Sequence, residues 1–99
     1  MNRAEHILTI LGEEGVEVAQ RCSKALRFGL KERQPRHQSN NAMQIYEEYL
    51  DMIAVMEMAI EEGLMPEPFE PFAEQWKKEK KAKVEKFLEY SRQIGTLND

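Results

Sequence analysis

The chain has 99 residues, 32% of them charged and 41% hydrophobic, with a formal net charge of -4. This length implies one domain with a modest core, since a small domain buries only about two thirds of the surface its unfolded chain exposes. The composition is that of a folded helical protein rather than a disordered one. The acidic balance argues against direct nucleic-acid or acidic-membrane binding, and no apolar run approaches the roughly 18 residues of a membrane span.

The first predicted helix starts after Asn2, a good N-cap, and runs to about Phe28, where Gly29 supplies a stop. At about 100° per residue, Leu8, Leu11, Val18, Ala19, Cys22, Ala25 and Leu26 form its apolar stripe, with Glu14 at the edge and Glu17 further round. Gly12 and Gly15 weaken this helix by up to about 1 kcal/mol each relative to alanine. They also leave room for a neighbouring backbone or a ligand. The single Cys22 has no disulfide or metal-ligand partner and reads as a small buried hydrophobe, which fits a reducing, cytoplasmic setting. The residues from Met1 to His6 carry no signal-peptide pattern.

Residues 31–41 are polar, contain Pro35 and have no period, so they form a loop or a short irregular helix that could cover a site. Asn40 or Asn41 then caps a second helix ending near Glu62 and closed by Gly63. Its apolar set includes Ile45, Tyr46, Tyr49, Leu50, Met52, Ile53, Val55, Met56, Ala59 and Ile60, a width expected of a helix enclosed by neighbours. Glu47, Glu57 and Glu61 share the solvated face, whereas Glu48 projects among Met52, Val55 and Ala59, and Asp51 lies at the boundary. A carboxylate placed there needs a compensating partner.

Residues 64–71 hold three prolines and read as a broken connection. A third helix is predicted from about Phe72 to Ile94, with apolar Phe72, Trp76, Val84, Phe87, Leu88 and Tyr90. Lys77, Lys78, Lys80, Lys81, Lys83 and Lys86 form a basic run interleaved with Glu79 and Glu85. Gly95 ends this helix, and residues 96–99 are expected to fray. No strand and no internal repeat are evident, so the fold class is all-α with three main helices.

The chemistry concentrates in two acidic pairs. Glu14 with Glu17, and Glu48 with Asp51, are spaced three apart, so each pair shares a helix face. If the two helices pack, four carboxylates converge. Such a group repels itself unless a cation sits in it, and a hard divalent ion with oxygen ligands is the simplest occupant. The competing reading pairs these acids with Arg21, Lys24 or the lysine-rich third helix. Neither His6 nor His37 has the Glu-x-x-His spacing of a di-iron bundle, and both read as surface residues. No phosphate-binding glycine loop and no Ser/His/Asp arrangement is identifiable. Tyr46, Tyr49 and Trp76 fit core or subunit contacts better than base stacking.

Glu13-Glu14-Gly15-Val16-Glu17, followed by Glu48-Tyr49-Leu50-Asp51, resembles the Glu-Glu-x-x-Glu and Glu-x-x-Asp signature of the MazG-like all-α nucleoside triphosphate pyrophosphohydrolases. Ala19 to Gly29, with Lys24 and Arg27, and Lys80 to Phe87 are similar to short bacterial and phage members. The resemblance implies a homodimer or homotetramer whose four-helix core is built from two subunits. It also implies magnesium-dependent, or manganese-dependent, cleavage of a nucleoside triphosphate to monophosphate and pyrophosphate. By that likeness Glu14, Glu17, Glu48 and Asp51 are metal ligands, and Glu13 orients water or a ligand as the catalytic acid of the motif. Lys24, Arg27, Lys81 and Lys83 are the expected substrate-binding cations. Thirty residues separate Glu17 from Glu48, toward or beyond the long end for the family, so the cover and pocket are expected to differ. The rival function is a non-catalytic helical module that binds another protein.

Overall fold

The computed structural model describes residues 1–98 and contains three α-helices, with no strand among these residues. They are α1 (Arg3–Phe28), α2 (Asn41–Glu61) and α3 (Glu70–Gln93). The chain divides into two compact units, the first being Met1–Pro66 with α1 and α2, the second beginning at Glu67 and containing α3.

Local chemistry sets the helix ends. The Asn2 side chain accepts from the Glu5 amide at 2.9 Å, and Glu5 returns a bond to the Asn2 amide at 3.3 Å, a reciprocal capping box. Asn40 caps α2 by accepting from the Met43 amide at 2.9 Å. Gly29 and Gly63, where the two helices stop, have φ of 102° and 76°, a region that favours glycine. The predicted limits of α1 and α2 therefore hold to within a residue or so.

In the first unit α1 and α2 pack as an antiparallel hairpin. On α1 the covered positions Ala4, Ile7, Leu11, Glu14, Val18, Arg21 and Ala25 alternate spacings of three and four. On α2 the matching set is Asn41, Ile45, Glu48, Met52, Val55 and Ala59. This is the seam geometry of paired helices. It corrects the expected α1 stripe: Leu8, Ala19, Cys22 and Leu26 are exposed, and Ile7 was overlooked. Cys22 is accordingly a surface thiol and not a buried hydrophobe. The reason is that the seam follows the alternating three-four spacing, about 50° round the helix from where hydrophobicity alone centred the stripe.

The open end of the hairpin is joined by Arg3, whose guanidinium forks onto Glu62 at 2.9 to 3.0 Å. At the closed end the buried Asn41 donates to the Gly29 carbonyl at 2.8 Å and to Glu32 at 2.7 Å. The Asn41 and Ala42 amides also donate to Glu32 and Leu30 carbonyls at 3.0 and 2.9 Å. Residues 29–40 thus form an anchored irregular loop with no helix of its own.

In the second unit α3 begins at Glu70, two residues before the expected start. Pro71 sits in its first turn, where a missing amide costs nothing, so the residue that suggested a break instead helps start the helix. Phe72 and Trp76 stack at 5.6 Å between ring centroids, and Glu74 pairs with Lys77 at 2.8 Å. No residue of α3 is buried. Beyond Gly95 the Thr96 and Leu97 amides both donate to the Ser91 carbonyl at 2.9 and 3.2 Å. The expected fraying therefore does not begin at Thr96; Asp99 lies outside the described residues.

Candidate metal centre

The alternating seam decides which acids meet. Glu14 and Glu48 occupy seam positions on facing helices, and Glu17 stands one turn beyond Glu14 on the same side of α1. One carboxylate oxygen from each of Glu14, Glu17 and Glu48 lies within 4.8 Å of the other two. Glu14 and Glu48 are half-buried and Glu17 is exposed. Three of the four expected ligands are brought together. Asp51 is exposed and outside this trio, although its charge acts on Glu48. Glu13 is also exposed, on the polar side of α1.

Two oxygens of this group, Oε2 of Glu14 and Oε2 of Glu48, are inaccessible to solvent and have no hydrogen-bond partner. An acceptor withdrawn from water and left unpaired costs about 1 to 3 kcal/mol, more when charged. The partial compensation visible is Arg21, another seam residue, whose Nε lies 3.6 Å from Glu48 Oε1. It does not suffice. Burial pushes the Glu48 carboxyl above the usual range, helped by a hydrogen bond with Glu17 and by the negative charges of Glu17 and Asp51, while Arg21 opposes the shift.

A cleft of about 210 Å³ opens on this cluster, lined by Glu17, Gln20, Arg21, Lys24 and Glu48. Lys24 also borders a second hollow with Gln20, Ser23 and Arg27, so Lys24 stands beside the acids while Arg27 lies further round the helix. A broader recess of about 700 Å³ runs from Arg21 and Glu48 to the loop residues Arg36, His37 and Ser39. The loop thus lines part of this recess. Lys83 belongs to a separate groove on α3 with Trp76, Glu79 and Lys80, and Lys81 is exposed on the same helix.

Two residues escaped the sequence reading. Arg21 was named only as a rival partner for the acids, yet it stands inside the seam. Gln44, one turn before Glu48, is buried; its Nε2 donates to the Ser39 carbonyl at 2.9 Å and its Oε1 is unpaired. The alternating spacing that runs through Glu14 and Arg21 on α1 and through Glu48 on α2 is the signal that would have found Arg21; Gln44 lies outside it.

Carboxylate oxygens at this spacing, two lacking any partner, are a donor set suited to a hard divalent cation. They would also repel one another without one. Comparison with known protein families, with curated proteins and with solved structures finds no match to this chain.

Proposed function

We propose that the protein is a divalent-cation-dependent nucleoside triphosphate pyrophosphohydrolase of the MazG-like kind, working as a homo-oligomer with a four-helix core. The observation that carries this reading is the convergence of Glu14, Glu17 and Glu48 with two buried, unpaired carboxylate oxygens. Magnesium is the favoured ion and manganese the substitute. Glu14, Glu17 and Glu48 would hold it, with Asp51 at the rim. A bound ion of this kind lowers the pKa of water and neutralises charge on phosphate oxygens.

The chain's own residues supply the rest. Lys24 and Arg21 line the cleft beside the acids and attract a polyphosphate, and Arg27 extends the positive edge. Glu13 is the candidate to orient water, and Lys81 and Lys83 are candidates for further phosphate contacts. The loop residues Arg36, His37 and Ser39 form the wall on which the nucleoside portion rests.

Incubation with a panel of ribo- and deoxyribonucleoside triphosphates plus magnesium, followed by pyrophosphate detection, tests the proposal. Release of pyrophosphate with the monophosphate is expected, and Glu14→Gln or Glu48→Gln should lower kcat/KM by at least about 100-fold. A second reading, a non-catalytic helical interaction module, is favoured by the Arg21–Glu48 ion pair, which lets the chain neutralise part of its own acid. Absence of turnover across the panel, with no magnesium-induced change in stability, would select it.

A further inference from the structure

One side of the α1–α2 hairpin is open and apolar, with Leu8 43% exposed, Tyr46 53% and Tyr49 45%. The other side carries the acid cleft and, next to it, the recess of about 700 Å³ that ends on the loop. Arg21 and Glu48 line both hollows, so the recess continues from the cleft. A ligand held at the acids by its phosphates can therefore extend along the start of α2.

The backbone does not make this recess a second phosphate site. Free amides at the start of a helix attract anions, but the first four of α2 are already taken. The Asn41 and Ala42 amides donate to the Glu32 and Leu30 carbonyls, Met43 donates to the Asn40 side chain, and Gln44 donates to the Asn40 carbonyl at 3.0 Å. What α2 offers the recess instead is acceptors, namely Gln44 Oε1 and the carboxylates of Glu47 and Glu48. The loop contributes side chains that can donate, Arg36, His37, Gln38 and Ser39.

Gln44 is the fixed point of this wall, being only 5% exposed. A carboxamide has a donor end and an acceptor end, and the Ser39 carbonyl, which can only accept, settles which is which. Nε2 donates to that carbonyl at 2.9 Å, so Oε1 is held as an acceptor. Oε1 is closed to solvent and has no partner. A buried acceptor left in this way favours a ligand that supplies the missing N–H and penalises an analogue that lacks it.

We infer that Gln44 selects the base of the bound nucleotide by accepting a hydrogen bond from an exocyclic amino group, so that adenine or cytosine is taken over a base with an oxo group at the same ring position. The inference rests on the nucleotide reading of the acid cleft given above. A glutamine carboxamide is suited to an amino-bearing base edge. An oxo group in that place sets oxygen against the oxygens of Gln44 and Glu47. Met43, 48% exposed, gives the ring an apolar surface. Entry to Oε1 comes from movement of the exposed side chains that share the recess, Arg36, Gln38, Met43 and Glu47.

Calorimetric titration of the full chain in magnesium chloride, with CMP against UMP and AMP against IMP, tests the selectivity, because each pair exchanges an amino for an oxo group. The amino member of at least one pair should bind about tenfold tighter or better than its oxo counterpart. Gln44→Met should bring that ratio close to one by weakening the amino member. Should Gln44→Met not fold, as judged by circular dichroism, Gln44→Asn takes its place, since it keeps the amide and draws it back by one methylene. Equal binding or an oxo preference in both pairs overturns the inference, as does no binding of any of the four, or an amino preference that survives substitution of Gln44. Binding does not depend on turnover, so the two readings fail separately. Pyrophosphate release without amino preference leaves the hydrolase and sinks the selectivity, and amino preference without pyrophosphate release does the reverse.

Discussion

Glu48 shows at the level of one residue why the acids are not surface decoration. Its raised carboxyl pKa means that the folded state holds this proton more tightly than the unfolded state does. The resulting stabilisation is fully present below the ordinary carboxylate range and is lost as pH rises through the raised value. We expect the metal-free protein to lose stability over that interval and Glu48→Gln to flatten the loss, as read from urea midpoints between about pH 4 and pH 8. Arg21→Met should destabilise the metal-free protein by about 1 kcal/mol, because it removes the cation from a partly buried pair. Added magnesium should shrink that penalty. The placement of Glu48 on the packed stripe of α2 was legible in the sequence, since the helical period dictates it; the polar groups that surround it there were not. Arg21 was not, because a single cation on a helix announces no partner until the facing helix is in register.

The helices themselves were readable from their ends. Asn2, Asn40, Gly29 and Gly63 carry backbone requirements that few other residues meet, and α1 and α2 start and stop beside them. Asn2→Ala should cost about 1 kcal/mol by removing half of the capping box. Asn41→Ala should cost more, about 2 kcal/mol, since it leaves the Gly29 carbonyl and Glu32 without their buried donor. Thermal or chemical denaturation of the two variants side by side checks the order. What the sequence did not yield was the face of α1 used for packing. Leu8, Ala19, Cys22 and Leu26 satisfy an apolar pattern as well as the seam residues do, and hydrophobicity alone cannot say which stripe meets the neighbouring helix. The start of α3 was misjudged for a related reason. Pro71 breaks a helix interior but suits a first turn, and sequence reading placed it in the connection.

At the scale of the molecule, the structure leaves a site short of positive charge and a hairpin short of apolar cover. Magnesium binding at the trio should raise Tm, with stability increasing by about 1.4 kcal/mol for each tenfold excess over Kd once the ion is saturating. Glu14→Gln, Glu17→Gln and Glu48→Gln should each reduce that increment, whereas Lys81→Gln should leave it intact. Titration by calorimetry alongside scanning fluorimetry measures both.

Because the carboxylates and the open apolar surface occupy opposite sides of the same helix pair, whatever enters one side leaves the other sterically untouched. If the proposed homo-oligomer pairs through that open surface, added ions would load each protomer separately. The binding isotherm would then show equivalent sites with a Hill coefficient near unity, and dilution of the assembly would leave the number of ions per chain unchanged.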